Sequence, residues 1–478
     1  MTGGTVPDLV ACRRRSTPHA EVLTFEGGPS YSASELDDTV AERAGVIAQS
    51  ITEDESRVAI VRTSRAETLL DVLATIRAGG VPAPLDPQLD QRSLESRIHM
   101  GGIEHIILGE VPQSVPEGVP ADLNVIPTAA DAQPVVDRTL QPHTPMTLMF
   151  TSGTLALPEP VVHTAWNHVA GAIASADRIG VEPTDRWYDP LGLHHMGGLA
   201  PVTRCLIAGI PLVVAKEVSA DGLFHRIDAT DATIASIVPT MLHRALDTNA
   251  PSPPTLRCLL VGGAPLHQAR FEQAHDRDIP VWATYGLTET VGQVTTANPR
   301  ERIDHPGTVG TPVLGVTVRI VDDDESVPPG TVGTIEVAGQ MVVPTTGSDT
   351  PHRSEPLRTT DLGYLDETGR LWVVGRSDDV IQTGGTLVHP LRVQQTIERH
   401  PMVAEAAVIG LEDETWGERV VAAVVTTNDD ARVDDILAHC KEHLPAYAVP
   451  KRIDCLDTIP RTPSGTVDRE ALRERLTR

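Results

Sequence analysis

The chain has 478 residues, of which 40% are apolar and 22% are charged, values typical of a soluble globular protein with more than one domain. Its formal net charge of −26 argues against a nucleic-acid-binding face and against attraction to an anionic membrane. There is no long apolar run, no secretory pattern at the N-terminus and no metal-binding spacing among the five cysteines. We therefore expect a reduced cytoplasmic protein that holds anionic ligands through local groups.

Strand-like and helical segments alternate from the N-terminus to about residue 300. Val58–Val61, Glu67–Arg77 and Val81–Pro84 have the strand–helix–strand order of a mostly parallel sheet. A β-rich stretch follows, and beyond Asp378 the pattern changes to a compact α+β unit. We predict an α/β protein with a large N-terminal domain (1–377) of mixed, mostly parallel sheets with helices plus a β-rich subdomain. A small mobile α+β C-terminal domain (378–478) completes it.

The first candidate site segment directly follows a predicted strand that ends at Phe150. It reads Thr151, Ser152, Gly153 and Thr154. Hydroxyls and backbone N–H groups in a tight turn can hold phosphate oxygens. Taken alone, however, a segment of this composition is more often an ordinary loop.

Two further strand ends carry residues suited to a nucleotide. The small residues Gly263-Ala264-Pro265 follow a buried strand and would let a flat ring approach the backbone. Another strand leads into Tyr285-Gly286-Leu287-Thr288-Glu289, which combines a stacking ring, a phosphate-binding hydroxyl and a hard oxygen ligand for Mg²⁺. The glycine-rich segment is as often an ordinary turn as a site, and the second segment, taken singly, is more often a solvated loop.

Three more segments lie towards the C-terminus. Asp361 could hold a ribose diol, and Arg376 could reach a sugar or a phosphate. A glycine pair follows at Gly384-Gly385, and the last segment is Pro460–Arg469. Each is individually more often a solvated loop than a site.

In order and spacing, these six segments resemble the adenylate-forming superfamily of acyl-CoA synthetases, peptide-synthetase adenylation domains and luciferases. The resemblance extends from about Tyr31 to Arg475. It implies an AMP site whose residues are Thr151, Ser152, Gly153, Thr154, Gly263, Ala264, Pro265, Tyr285, Gly286, Thr288, Glu289, Asp361 and Arg376.

The resemblance also implies more specific roles. Tyr285 would stack on adenine, Asp361 would bind the ribose hydroxyls, and Glu289 would be a possible Mg²⁺ ligand. Asp378 would be the hinge of the C-terminal domain, and Gly384 and Gly385 would border the pantetheine tunnel.

His195 matches the histidine that this superfamily places at the mouth of the acyl pocket. A lone histidine is usually a satisfied core residue. The matching motif around it, Pro190–Gly198, favours the pocket.

The sequence departs from the superfamily pattern at four degenerate positions. In the phosphate loop a glycine is replaced by Ala156, the lysine by Glu159 and the next glycine by Pro160. Near the C-terminus a second lysine is replaced by Thr466. Both lysines assist the attack of a carboxylate on ATP, where preorganised positive charge is the main catalytic resource.

The losses therefore fall on adenylation, whereas the residues expected to hold AMP and to serve thioester formation remain. This selectivity resembles the non-adenylating, thioesterification-only acyl-CoA ligase branch found in platensimycin and platencin biosynthesis. It implies that acyl-AMP, made by a separate adenylating ligase, and coenzyme A are the substrates, with Mg²⁺ possible but dispensable. The acyl group would be a bulky terpenoid carboxylate.

Three alternatives stay open. Arg461, Arg469 or Lys451 could replace the missing lysine in a complete ATP-dependent ligase, although a guanidinium does not reproduce a compact ammonium. A catalytically silent protein could sequester an adenylate or act as a scaffold. An amine or a carrier-protein thiol could replace coenzyme A as the acceptor.

Overall fold

The computed structural model describes residues 4–51, 54–110, 119–120, 123–151, 158–248, 250–343, 356–413, 415–427, 432–461 and 467–477. Within these ranges, none of the helices combines the length and apolar character that a bilayer span requires.

A parallel sheet of four described strands forms one layer of the N-terminal domain. The strands are β3 (Arg57–Val61), β4 (Val81–Leu85), β5 (His105–Leu108) and β6 (Asn124–Ile126), in the order β4-β3-β5-β6. The accompanying helices are α1 (Leu9–Ser16), α2 (Ala33–Ser50), α3 (Arg65–Ala78) and α4 (Gln91–Met100). Gly79 ends α3 in the left-handed conformation, with φ of 99°, so the chain turns at once into β4.

An antiparallel hairpin connects this layer to the rest of the domain. It consists of β7 (Pro145–Phe150) and β8 (Pro160–Thr164), and its open end pairs Phe150 with Pro160. The predicted phosphate loop is the connection between these two strands. The hairpin therefore fixes where the loop begins and ends.

The largest sheet contains nine described strands and carries most of the candidate site. They are β1 (Glu21–Phe25), β2 (Ser30–Ser32), β9 (Trp187–Asp189), β10 (Leu212–Val214), β11 (Ile234–Ile237), β12 (Cys258–Val261), β13 (Val281–Tyr285), β14 (Thr295–Ala297) and β15 (Thr311–Pro312). Their order is β15-β14-β13-β12-β11-β9-β10-β1-β2. Because β11, β12 and β13 are parallel, the turns that follow them lie at one edge of the sheet.

Helices cover this sheet and bury its apolar strands, as expected for parallel pairing. They are α5 (Ala165–Ile179), α6 (Met196–Ala208), α7 (Leu223–Ala229), α8 (Pro239–Leu246), α9 (Gln268–His275) and α10 (Pro299–Asp304).

A smaller antiparallel sheet follows. Its strands are β16 (Val316–Asp322), β17 (Glu325–Ser326), β18 (Gly333–Gly339), β19 (Leu357–Leu365) and β20 (Leu371–Arg376), in the order β17-β16-β18-β19-β20. This sheet is the predicted β-rich subdomain. Its last hairpin, formed by β19 and β20, carries two of the candidate site residues, Asp361 and Arg376.

The C-terminal domain has a hydrophobic core of its own, which includes Ile381, Ile397, Val424 and Ile436. Its elements are β21 (Ile381–Thr383), β22 (Thr386–Val388), α11 (Pro390–Glu398), β23 (Val403–Asp413), β24 (Gly417–Thr426), α12 (Val433–His443), β25 (Arg452–Cys455) and α13 (Arg469–Thr477). A short 3₁₀ turn, Ser377–Asp379, connects it to β20.

The predicted architecture is confirmed: a large N-terminal α/β domain with mixed sheets precedes a smaller C-terminal domain. The sequence predicts a strand over Ala406–Ile409, but β23 is much longer, because it pairs with β24 along its whole length. The polar sequence of residues 344–355 predicts a surface loop, and this segment lies outside the described residues.

Candidate active site

The centre of the candidate site is a hydrogen bond between two sheets. The hydroxyl of Tyr285, at the end of β13, donates to Oδ2 of Asp361 on β19 (2.7 Å). Asp361 is 8% exposed and stands opposite Arg376 in the register of β19 and β20. Burial raises the pKa of the Asp361 carboxyl above its ordinary value, and Tyr285 and Arg376 oppose the shift. Tyr285, 76 residues before Asp361, and Arg376, 15 residues after it, thus meet around the Asp361 carboxylate.

Arg376 connects this centre to the turn between the domains. Its guanidinium lies 3.2 Å from the carboxylate of Asp378, within the Ser377–Asp379 turn. Asp378 therefore lies directly after β20, between the small antiparallel sheet and β21.

Thr288 and Glu289 lie on a short 3₁₀ turn that follows Tyr285. The backbone N–H of Val343 donates to the carbonyl oxygen of Glu289 (2.8 Å). Burial, and then the charges of Asp361 and Glu159, raise the pKa of the Glu289 carboxyl above its ordinary value. The turn therefore presents a hydroxyl and a carboxylate next to the Tyr285–Asp361 pair.

The backbone around this turn is tightly closed. A Cβ added at Gly286 would lie 2.4 Å from the carbonyl oxygen of Gly292, so only glycine fits there. Val291 adopts φ of 51°, which is a genuine outlier for a β-branched residue. Such a conformation persists only where the surroundings impose it, as in ligand-binding turns.

The turn that carries Gly263, Ala264 and Pro265 follows β12, next to β13. Gly263 has φ of 81°, and a Cβ added at Gly262 would lie 2.6 Å from Cγ2 of Thr284. The two turns are thus in direct contact. Gly263 is exposed, so its backbone is accessible at this end of β12.

Two hydrogen bonds close the mouth of the predicted phosphate loop. The N–H of Thr151 donates to the carbonyl oxygen of Glu159 (3.0 Å), and the N–H of Glu159 donates to Oγ1 of Thr151 (3.0 Å). Pro160 then begins β8. Ser152, Gly153, Thr154 and Ala156 lie outside the described residues.

His195 is the residue immediately before α6. Its ring centroid is 4.3 Å from that of His194. Burial, and then His194, lower the pKa of His195 to about 4. His195 is therefore neutral at physiological pH and can line an acyl pocket without adding charge.

The sequence matches two family models. Residues 11–345 match the AMP-binding enzyme model, and residues 392–466 match the AMP-binding enzyme C-terminal domain. The chain belongs to the AMP-binding enzyme family. It is an enzyme of the acyl-CoA ligase type.

Similar proteins share almost the full length of this AMP-binding enzyme. The 2-succinylbenzoate–CoA ligase of Bacillus velezensis is 31% identical over 98% of both chains. The o-succinylbenzoate CoA synthetase of Bacillus subtilis in complex with the acyl-adenylate intermediate OSB-AMP superimposes with a TM-score of 0.90 (28% identity; 98% and 99% of the two chains). A double mutant of that synthetase, bound with its product analogue OSB-NCoA, gives 0.74 (28% identity; 99% of both chains). The structure as a whole is thus more similar to the adenylate-bound form than to the product-analogue complex.

The carboxylates of this AMP-binding enzyme suit a magnesium ion only with help from the substrate. Within the described ranges, no group of three or more His, Cys, Asp and Glu residues is arranged to bind a metal by itself. Glu289 could supply one oxygen, and phosphate oxygens and water would complete an octahedral set.

The predicted pantetheine residues lie in the C-terminal domain. Gly384 and Gly385 form the turn between β21 and β22, with φ of 57° and 77°. A Cβ added at Gly384 would lie 2.7 Å from the ring of Trp416, so this turn packs against its own domain.

Two of the three cations that could replace the missing lysine have carboxylate partners. Arg469 lies 2.8 Å from Asp379, and Arg461 lies 2.6 Å from Glu405. Thr466 itself lies outside the described residues.

One residue that contacts the Thr288–Thr290 turn, called the phosphate turn below, is not predicted from the sequence. Nε2 of His163, on β8, lies 2.7 Å from the carbonyl oxygen of Thr288. The available signal was a histidine within an otherwise buried strand, directly after the phosphate loop. Such a polar residue in a strand requires a hydrogen-bond partner.

Proposed function

We propose that this enzyme transfers an acyl group from acyl-AMP to coenzyme A and that its adenylation activity is impaired or absent. The observation that carries this proposal is the carboxylate of Glu159, which stands at the exit of the phosphate loop and raises the pKa of Glu289 by charge repulsion. The superfamily pattern has a lysine at this position.

The charge at this position bears on each half-reaction differently. Adenylation brings ATP, with three phosphates, against a carboxylate nucleophile, so the loop cation stabilises the departing pyrophosphate. Loss of one such contact typically lowers the rate ~10²–10³-fold. Glu159 adds repulsion beside Glu289, and the loss should therefore be larger.

Thioester formation does not need that cation. The sulfur of the coenzyme A thiolate attacks the acyl carbon, the bond from that carbon to the phosphate oxygen breaks, and AMP leaves with the electron pair. The thiol proton passes to solvent, since a thiol with a pKa of about 8.5 needs only modest assistance. The step depends mainly on positioning and on oxyanion stabilisation.

We propose that the Tyr285–Asp361–Arg376 cluster holds AMP in this reaction. Tyr285 stacks on adenine between the Gly263 turn and Asp361, and Asp361 accepts from the ribose hydroxyls. Thr288 contacts the α-phosphate. Asp378 acts as the hinge that brings Gly384 and Gly385 to the pantetheine arm.

The acyl group is proposed to be a bulky terpenoid carboxylate that enters past His195, and a separate ligase is proposed to supply the adenylate. This part rests on the resemblance to non-adenylating ligases. The similar proteins are named as 2-succinylbenzoate–CoA ligases, so a second carboxylate on the acyl group is the competing substrate class.

A complete ATP-dependent ligase is the second candidate. One observation favours it: Arg469 lies beside Asp379 in the turn next to Arg376, so a cation from the C-terminal segment does reach the site. Its ion pair with Asp379 opposes a role towards pyrophosphate, because the carboxylate already neutralises it.

The test supplies the enzyme with coenzyme A and either acid plus ATP and Mg²⁺, or preformed acyl-AMP. We expect acyl-CoA from acyl-AMP only, together with no acid-dependent ATP–pyrophosphate exchange. Exchange at the rate of a typical ligase would support the second candidate. Tight acyl-AMP binding without any thioester would support a silent adenylate-binding protein.

A further inference from the structure

His163 connects the strand that leaves the phosphate loop to the turn that carries Thr288 and Glu289. It lies three residues after Pro160, is fully buried, and its Nε2 is 2.7 Å from the carbonyl oxygen of Thr288. Among the described hydrogen bonds, no other long-range bond reaches the Thr288 carbonyl.

The ring must be neutral and must donate through Nε2. Burial lowers the pKa of His163 to about 4, and a carbonyl oxygen can only accept. The hydrogen therefore lies on Nε2, and Nδ1 is an acceptor.

A second buried histidine fixes this tautomer. Oγ1 of Thr147 lies 3.4 Å from Nδ1 of His163 and 2.8 Å from Nε2 of His168. Burial, and then His163 and Arg204, lower the pKa of His168 to about 3, so it too is neutral. One direction satisfies the chain: His168 donates to Thr147, Thr147 donates to His163, and His163 donates to Thr288.

This chain holds the Thr288 carbonyl, whereas the ends of the turn are held locally by hydrogen bonds between Leu287 and Thr290. The turn is only three residues long, and the carbonyl of Glu289 is already held by the N–H of Val343. If His163 did not donate to it, the Thr288 carbonyl would lose its partner and the peptide could rotate. The directions of the Thr288 hydroxyl and the Glu289 carboxylate would change with it.

We propose that His163 is a positioning residue, a buried donor that fixes the phosphate turn against the strand leaving the phosphate loop. Through this bond, Thr288 and Glu289 face the α-phosphate of bound acyl-AMP. The inference rests on the proposed adenylate site, but it does not depend on whether adenylation has been lost.

The test compares His163→Gln with His163→Leu. A glutamine amide can still donate to the Thr288 carbonyl, whereas leucine of similar volume cannot. We expect His163→Leu to bind AMP about tenfold more weakly by calorimetry, and His163→Gln to remain within about threefold of wild type. In thioester formation, the KM for acyl-AMP should rise in His163→Leu while the KM for coenzyme A stays constant.

His105→Leu is the matched control. His105 is also a buried histidine with a side-chain hydrogen bond, to Asn124 (3.0 Å), but it lies on β5 in the four-stranded sheet. Its loss should leave AMP affinity unchanged. Equal weakening by His105→Leu and His163→Leu would mean that only stability is involved, and would overturn the inference.

Thr147→Val provides a test if His163→Leu does not fold. It removes the hydroxyl between the two histidines and keeps the shape, so AMP binding should weaken severalfold with an unchanged KM for coenzyme A. Unchanged AMP affinity in Thr147→Val, or in a folded His163→Leu, would overturn the inference. Failure of the wild-type enzyme to form thioester would instead count against the proposed function, because AMP binding tests His163 separately.

Discussion

The imidazole of His267 forms an ion pair with the carboxylate of Glu398 across the boundary between the two domains. His267 immediately precedes α9, and Glu398 is the last residue of α11. Burial alone would lower the pKa of His267, but Glu398 and, further away, Glu405 outweigh it and raise the pKa above its ordinary value. The pair therefore joins the C-terminal domain to the N-terminal domain at the start of α9.

This pair predicts a pH dependence of domain movement. A raised folded-state pKa means that the pair contributes fully at low pH and is lost as pH rises through that pKa. If the product arrangement requires the domain to rotate, Glu398→Gln should increase kcat for thioester formation severalfold at pH 6 and little at pH 9. Asp304→Asn, which alters an exposed ion pair with Arg300, should leave kcat unchanged at both pH values. The same ratio of variant to wild-type kcat at both pH values would contradict this prediction.

The charge at position 159 predicts a partial recovery of adenylation. Glu159→Lys combined with Thr466→Lys should raise ATP–pyrophosphate exchange more than either change alone, because both cations would act on one transition state. Glu217→Lys, at an exposed position, controls for net charge. No exchange above the control in the double variant would show that Ala156 and Pro160, rather than charge, set the limit.

The Tyr285–Asp361 hydrogen bond predicts a nucleotide-specific effect at Asp361. Asp361→Asn should weaken AMP binding by about 1.5–3 kcal/mol, since a charged acceptor of the ribose hydroxyls is lost. The wild-type enzyme should bind 2′-deoxy-AMP more weakly than AMP. The Asp361→Asn variant should discriminate much less between these two nucleotides. Equal discrimination in the two proteins, measured by calorimetry, would place the ribose elsewhere.

The two buried histidines that support the phosphate turn, His163 and His168, predict sensitivity to acid. Their folded-state pKa values, about 4 for His163 and about 3 for His168, lie below the ordinary 6.5, so the unfolded chain takes up protons first as pH falls. Each histidine should therefore remove about 2 kcal/mol from the free energy of unfolding between pH 7 and pH 5. Urea unfolding at both pH values checks this. His168→Gln should reduce the difference, and an undiminished difference would exclude His168 as its source.

Sequence patterns located the candidate residues that follow single strands. Apolar runs end at Phe150, Val261 and just before Tyr285, so the turns after them were predictable, and parallel pairing then places two of these turns side by side. These positions depend on local periodicity, which the sequence carries directly.

Contacts between distant segments were not predictable in the same way. Asp361 stands opposite Arg376 because β19 and β20 pair with a register shift at Leu362–Gly363, and a bulge leaves no reliable sequence signal. His163 and Thr288 are 125 residues apart, and nothing in either segment indicates the other. Such pairs follow from packing of the whole domain.

The two hydrogen bonds between Thr151 and Glu159 use only backbone atoms of Glu159. The chain path at this point is therefore independent of which side chain the residue carries. A single codon change can reverse the charge presented to a nucleotide while the loop keeps its anchor. The backbone course and the side-chain charge at position 159 can therefore change independently. Under the proposed function, this makes the position a natural place for evolution or design to switch between the two half-reactions.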